Sequence, residues 1–125
     1  MTRVNELLEA GMNVCFGQDS IVDPWYPLGN GNILRVLEAG LHICHMLGYR
    51  NLQSALDLVT DNSAKALALG DRYGLEPGRP ANLLILSAEN DYEVIRSQGL
   101  PLYSVRGGKV LMKRTMPVVE FPGLD

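Results

Sequence analysis

The spacing of apolar residues changes once along the chain, near Gly74, and this change constrains the fold more than any other feature. Before it, apolar residues recur at helical spacing, as Val4, Leu7 and Leu8 do. After it, short apolar runs alternate with turn residues, which is typical of strands. The pattern therefore predicts an α/β chain with a helical part over residues 1–70 and a strand-rich part over residues 71–125.

The helical part contains one segment of a different kind, Met12 to Phe16. It is too short for a helix and is apolar on both alternating faces apart from Asn13, which suits a parallel strand covered on both sides. A helix capped by Thr2 and stopped by Gly11 precedes it. A loop rich in proline and glycine follows over residues 17–31, and loops of this length are often functional.

Three further helices are predicted after the loop. The first is capped by Asn30 or Asn32, and its apolar stripe runs from Ile33 to Leu47, where Gly48 ends it. The second begins at Asn51 and carries its apolar face as far as Val59. The third covers the sequence SAKALAL, with Asp61 or Asn62 as its cap and Gly70 as its end.

The strand-rich part begins after a turn signal at residues 75–78. Residues 81–86 are predicted to form a strand, and Asp91 to Gln98 a short helix. YSVR and KVLM flank Gly107-Gly108, a two-residue hairpin signal because glycine tolerates the positive φ of primed turns. The tail over residues 116–125 is expected to be loosely held.

Composition excludes some classes of partner. The 125 residues suit one ordinary domain, and a net charge of -3 gives no electrostatic reason to expect nucleic acid. No apolar stretch approaches the ~20 residues that span a bilayer, and the N-terminus lacks the features of a secretory signal. We therefore expect a cytoplasmic protein, in which Cys15 and Cys44 are buried free thiols.

Asp19 is the first candidate site residue, because it lies just after the predicted strand. An acidic residue at the carboxyl end of a barrel strand can bind a divalent metal and can accept a proton from water. Asp-Ser is also good turn chemistry, so the residues alone leave open a plain turn role. Trp25, in the Pro-containing loop, can offer a flat face to a base, or can serve in core packing.

Four stretches together resemble the amidohydrolase superfamily, and the first resembles its bacterial cytosine deaminases in particular. They are GMNVCFGQDSIVDPWYPLGNGN, GLHICHMLGY, LVTDNSAKALAL and YGLEPGRPANLLIL, within a match from about Val4 to Val110. The resemblance implies the C-terminal part of a metal-dependent (β/α)8 barrel, with its last strand and helices, followed by strands of a small β-sandwich. It also implies that the chain is incomplete and inactive by itself.

The implied activity is deamination of cytosine or a related amino-substituted ring, within pyrimidine metabolism. In the family, metal-bound hydroxide attacks the ring carbon that carries the amino group, and ammonia leaves. The metal is zinc or iron, with most of its ligands on histidines upstream of the region that this chain matches. Two alternatives remain open: a triazine-type amidohydrolase, or a non-catalytic module that associates through its strand edges.

Three residues acquire roles from the resemblance. Asp19 matches the metal-binding aspartate that also receives the proton of the attacking water, and Trp25 matches a tryptophan that lines the pyrimidine pocket. The family usually has His-Asp-Asp where this chain has Gln18-Asp19-Ser20, so Ser20 replaces a second carboxylate near the substrate. The resemblance therefore does not determine which ring is the substrate.

The two histidines are not expected to bind metal. His42 and His45 share a helix face, which makes a weak site conceivable. They follow the predicted strand and loop on a helix directed away from Asp19, so structural or surface roles are expected. The apolar strand and helix faces also predict that the chain associates, as a homo-oligomer.

Overall fold

The computed structural model describes residues 2–120 and 122–123, which form a group of short helices and one small sheet. In chain order the elements are α1 (Val4–Glu9), α2 (Ile33–Ile43), α3 (Tyr49–Gln53), a 3-10 turn (Ala55–Val59), α4 (Asp61–Ala66), a second 3-10 turn (Gly70–Arg72), β1 (Leu83–Ile85), α5 (Asp91–Ser97), β2 (Tyr103–Arg106) and β3 (Lys109–Lys113). The change from helices to strands near Gly74 is confirmed.

The core is built around α2. Leu37 and Leu41 of this helix are fully buried, and Met46 just beyond it is 2% exposed. Helix α2 packs on the 3-10 turn over residues 55–59 and on α5. The buried cluster is completed by one residue of α1, two of the 3-10 turn and one of α5, namely Val4, Ala55, Leu58 and Ile95.

Helix α2 begins as predicted but ends earlier. The Asn32 side chain accepts a hydrogen bond from the backbone N–H of Leu34 at 3.1 Å, so Asn32 is the cap. The helix ends at Ile43 because His45 adopts a left-handed conformation with φ 55°, and the N–H of Met46 donates to the carbonyl of Leu41 at 2.8 Å. The predicted extension to Leu47 is therefore wrong.

The next two helices are also shorter than predicted. The segment predicted from Asn51 to Val59 is divided into α3 and a 3-10 turn. Helix α4 ends at Ala66, since Ala68 has φ 50° and the chain leaves the helix before Gly70. Apolar spacing alone does not mark these ends, because no glycine or proline stands at them.

Residues Met12–Phe16 do not form a strand, contrary to the prediction. A strand needs backbone partners beside it, and in the described part of the chain no strand lies there. Instead the segment is fastened to the helices by amides. Asn13 Nδ2 donates to the carbonyl of Asn62 at 2.9 Å, Asn62 Nδ2 donates to that of Val14 at 2.8 Å, and the N–H of Phe16 donates to that of Leu58 at 2.8 Å.

The strand-rich part is one antiparallel sheet in the order β1-β2-β3. The predicted hairpin is confirmed: Gly107 and Gly108 have φ of 55° and 76°, and β2 and β3 flank them. The Asn82 side chain accepts from the N–H of Gly107 at 2.8 Å and so ties the hairpin tip to β1. Strand β1 is shorter than the predicted 81–86, and α5 agrees with its prediction within one residue.

Three smaller expectations have mixed outcomes. Both cysteines are free, as predicted, but Cys15 is exposed and Cys44 half-buried. The tail over 116–120 has no regular structure, and Phe121, Leu124 and Asp125 lie outside the described residues. Among the described helices, none has the length and apolar character needed to cross a membrane.

Gly40 makes room for the ring of Phe16 on α2, and this contact yields a prediction. A Cβ at Gly40 would lie 2.5 Å from Cε2 and 2.8 Å from Cδ2 of Phe16. We expect Gly40→Ala to destabilise the chain by about 1–2 kcal/mol, because the ring must move. In a Phe16→Ala background the same change should stabilise by about 0.5–1 kcal/mol, since alanine favours a helix interior over glycine.

Urea unfolding of the two single variants and the double variant measures this coupling. A destabilisation by Gly40→Ala that persists without the Phe16 ring would show that the contact is not its cause.

Candidate functional site

The loop over residues 17–31 folds back on itself. Its outgoing limb, residues 17–22, and its returning limb, residues 26–31, cross where Gly29 passes against the backbone of Ile21. The approach is so close that a Cβ at Gly29 would overlap the Ile21 carbonyl oxygen. Arg35 on the first turns of α2 donates from Nη1 to the carbonyl of Leu28 at 3.0 Å. The predicted loop is therefore confirmed as a segment without helix or strand, but with a defined path.

The loop tip is a turn organised by Asp23. One oxygen of its side chain, Oδ1, accepts hydrogen bonds from the backbone N–H groups of Trp25 and Tyr26, both at 2.9 Å. Aspartate followed by proline is favoured at the start of such a turn. The sequence predicts that Pro24 holds Asp23 extended and so helps to fix the loop, but it does not reveal the role of the Asp23 side chain.

The same contacts favour the ionised form of Asp23. The Ser20 side chain and the N–H groups of Tyr26 and Trp25 hold the pKa of Asp23 below its ordinary value of 3.8, against a smaller opposing effect of desolvation. The turn thus contains a carboxylate that stays charged at neutral pH.

Asp19 lines an open cleft of about 570 Å³ between the loop and α2. Ser20 and Tyr26 stand with it on the loop side, and Arg35 is on the α2 side. The floor and far wall are formed by Phe16, Val36, Ala39, Gly40 and Ile43. On either side of Asp19 the outgoing limb is held by a hydrogen bond from Gln18 Nε2 to the carbonyl of Ser20 at 2.6 Å. Asp19 itself is exposed.

Trp25 lies apart from these groups. Its side chain is 91% exposed at the loop tip, and the cleft is lined by Tyr26 instead. The structure therefore brings Asp19 and Ser20 together and leaves Trp25 facing outward. The alternative of core packing for Trp25 is wrong in this chain.

The histidines take local roles. His42 Nε2 lies 3.0 Å from Glu38 Oε1, one turn earlier on α2, and His45 is the left-handed residue that ends the helix. Over residues 2–120 and 122–123, no three His, Cys, Asp or Glu side chains are grouped so that they could hold a metal ion. Asp19 is thus one possible ligand and not a site by itself.

Comparison with known proteins defines the family. A model of the amidohydrolase family matches residues 1–112, and the chain belongs to this family. Among solved structures it is similar to 5-methylcytosine deaminase from Klebsiella pneumoniae liganded with 5-fluorocytosine, with 68% identity and a TM-score of 0.93. That match covers 98% of this chain and 30% of the Klebsiella chain.

Two more distant relatives are named for N-isopropylammelide. N-isopropylammelide isopropylaminohydrolase from Burkholderia multivorans is 27% identical with a TM-score of 0.78, over 87% of this chain and 28% of that one. N-isopropylammelide isopropyl amidohydrolase from Pseudomonas sp. strain ADP is 29% identical over 110 residues, 88% of this chain and 27% of that protein. The chain thus spans less than a third of each relative.

These findings confirm the predicted resemblance. They fit a C-terminal portion of a cytosine deaminase-like member of the amidohydrolase family. The similarity to the Klebsiella enzyme extends over the loop and the cleft, because it includes 98% of the chain.

The charge of Asp23 gives a prediction for pH. Because its pKa is lower in the folded chain than the ordinary 3.8, its contribution to stability is complete above that value and is lost as the pH falls through the folded pKa. We expect Ser20→Ala to move the pKa of Asp23 upward toward 3.8, since Ser20 is the largest cause of the shift.

Carboxyl titration by NMR measures this pKa directly. Ser54→Ala, an exposed serine outside the loop, is the control and should leave it unchanged. An unaltered Asp23 titration in Ser20→Ala would contradict the role given to Ser20.

Proposed function

We propose that this chain is the Asp19-bearing part of a hydrolase that deaminates an amino-substituted pyrimidine. The observation that carries the proposal is that Asp19 and Ser20 line one open cleft in a chain 68% identical to a 5-methylcytosine deaminase. A small nitrogenous ring is accordingly the proposed partner.

Asp19 has the chemical properties that the reaction needs. Its carboxylate is exposed to the cleft, where it can accept a proton from an attacking water. Amidohydrolases generally depend on a divalent metal, which when bound supplies a Lewis acid for water and for the ring. The described residues fit one ligand position and not a whole metal site, so the other ligands of a zinc or iron ion would lie outside this chain.

Ser20 bears on the choice of ring. Its side chain is shorter than aspartate and carries no charge, and it lines the cleft beside Asp19. A ring with an apolar substituent is therefore accommodated more easily beside Ser20 than beside a second carboxylate, because a charged group is costly to desolvate. This favours 5-methylcytosine over cytosine, in agreement with the name of the Klebsiella relative, a 5-methylcytosine deaminase.

The triazine-type alternative has weaker support. The relatives that act on N-isopropylammelide are 27% and 29% identical to this chain, against 68% for the 5-methylcytosine deaminase. We therefore propose a pyrimidine ring, and not a triazine-type ring, as the substrate.

Trp25 is proposed as a further contact to the ring. It is exposed at a turn whose path Asp23 fixes, so its face is available to whatever approaches the loop. In the proposed enzyme the loop tip would close over the substrate, and the ring of Trp25 would stack on it.

The arrangement of the chain supports a place in a larger fold. Residues Met12–Phe16 lack strand partners, and large apolar side chains such as Met12, Ile43 and Leu47 are exposed. We propose that residues 1–70 complete a (β/α)8 barrel as its last strand and helices, and that residues 71–125 join a small β-sandwich. Without these neighbours the exposed apolar surface favours self-association.

The central test is Asp19→Asn in the full-length protein that contains this chain. The change keeps the shape and removes the negative charge and the basicity, so kcat for 5-methylcytosine should fall by ~10²–10⁴-fold. Metal content is measured alongside, to separate loss of the proton acceptor from loss of the ion. Asp57→Asn, an exposed aspartate on the 3-10 turn, is the matched control.

Near-normal turnover of Asp19→Asn with metal bound would exclude Asp19 as proton acceptor. An unaltered wild-type protein with no deaminase activity on any pyrimidine would refute the proposed function as a whole.

Ser20 provides a separate test of the substrate. Ser20→Asp should lower kcat/KM for 5-methylcytosine relative to cytosine by roughly 10–200-fold, the range that one methylene-sized group supplies in a pocket. Ser20→Ala should preserve the wild-type preference, because it adds neither bulk nor charge. Steady-state kinetics with 5-methylcytosine and with cytosine measures the ratio of the two kcat/KM values. An unchanged ratio in Ser20→Asp would show that the ring substituent does not lie beside Ser20.

A further inference from the structure

Among the three glycines of the loop, Gly29 is the one at which a side chain would collide with main-chain atoms. A Cβ at this position would overlap the carbonyl oxygen of Ile21 and lie 2.6 Å from its carbonyl carbon. Both are main-chain atoms, so they cannot rotate aside as a flexible side chain could. Glycine is therefore required here by space, whereas Gly17 in the same loop has open space around its Cβ position.

A second contact holds the crossing to the core. Arg35 donates to the carbonyl of Leu28, the residue before Gly29, at 3.0 Å. Arg35 stands on α2, whose Leu37 and Leu41 are fully buried, so the hydrogen bond attaches the returning limb to a helix of the core.

The crossing sets how the two limbs face each other. Asp19 and Ser20 lie just before Ile21 on the outgoing limb, and Tyr26 lies just before Gly29 on the returning limb. The Tyr26 ring reaches the crossing itself, with Cδ1 3.0 Å from the Cβ position of Gly29. All three residues line the cleft, so its width on the loop side depends on the distance between the limbs.

We propose that Gly29 is a positioning residue, which together with Arg35 fixes Asp19 at the distance from the ring-binding side of the cleft that catalysis needs. The proposal rests on the function proposed above. It predicts that widening the crossing lowers turnover although no group that touches the substrate has changed, because a displacement of about 1 Å can cost about 10²-fold in rate.

A purely structural role would give a different result. None of residues 17–31 is buried, and the buried cluster is made by other segments. Opening the crossing should therefore leave the core intact and affect the loop alone. This makes the two roles distinguishable by experiment.

The first experiment measures the loop without reference to activity. Chymotrypsin cleaves after aromatic residues, and the Trp25–Tyr26 bond stands at the exposed loop tip. In the full-length protein with Gly29→Ala, cleavage at this bond, identified by mass spectrometry, should become about tenfold faster or more, because proteolysis follows the population of the open form.

The matched control is Gly48→Ala. Gly48 has φ -67° and nothing within 4 Å of its Cβ position, so alanine fits there without strain. Its cleavage rate at the Trp25–Tyr26 bond should equal that of the wild type. A Gly29→Ala variant with an unchanged cleavage rate at the Trp25–Tyr26 bond would overturn the proposal.

The second experiment measures catalysis. With metal content and thermal midpoint unchanged, Gly29→Ala should lower kcat by about 10²-fold and affect KM much less, because Asp19 is misplaced while the open cleft still admits the ring. Faster cleavage combined with normal kcat would show that the loop moves without consequence, and would also overturn the proposal.

Arg35 supplies an independent pair of variants in case Gly29→Ala fails to fold. Arg35→Met keeps a long stem and removes the donor to Leu28, whereas Arg35→Lys keeps a donor. Arg35→Met should reproduce the faster cleavage and the lower kcat, whereas Arg35→Lys should keep part of the wild-type cleavage rate and kcat. Equal effects of the two variants would contradict the role given to the hydrogen bond between Arg35 and Leu28. Should the wild type prove inactive on every ring, the proposed function would fall and with it the catalytic consequence of the crossing, whereas the cleavage rates would still show whether Gly29 and Arg35 hold the loop.

Discussion

The burial of one stripe of α2 is the interaction on which the rest of the chain depends. Leu37 and Leu41 leave no surface to solvent, and the 3-10 turn and α5 pack against them. The opposite side of the same helix forms the far wall of the cleft and carries Arg35, which holds the loop. A single amphipathic helix therefore joins core, cleft and loop.

Local chemistry made several elements predictable from the sequence. The hairpin follows from Gly107-Gly108, whose positive φ values match the turn that joins β2 and β3, and the start of α2 follows from Asn32 as its cap. The loop over residues 17–31 was also predictable, from its prolines and glycines. Asp19 lines a cleft, although the strand from which its position was predicted is not formed.

Other features depend on contacts that a sequence pattern does not contain. The residues over 12–16 have the composition of a buried strand, but a strand exists only where a second strand offers its backbone. Here the side-chain amides of Asn13 and of Asn62 on α4 make the hydrogen bonds instead. The early end of α2 arises at a left-handed histidine, His45, whereas the sequence predicted that Gly48 would end the helix. Asp23 was missed because its role depends on the path of the loop, which brings two N–H groups to one oxygen.

The attachment of the segment before Asp19 has a consequence for how its chemistry can be studied. Asn13, Asn62 and the main chain hold this segment, and none of these groups gains or loses a proton in the range where proteins are folded. The other limb depends on a carboxylate that remains ionised down to acid pH. The groups that attach this segment and the loop turn therefore keep their charge over the neutral range. A change of activity with pH in that range would accordingly not arise from titration of these attachments.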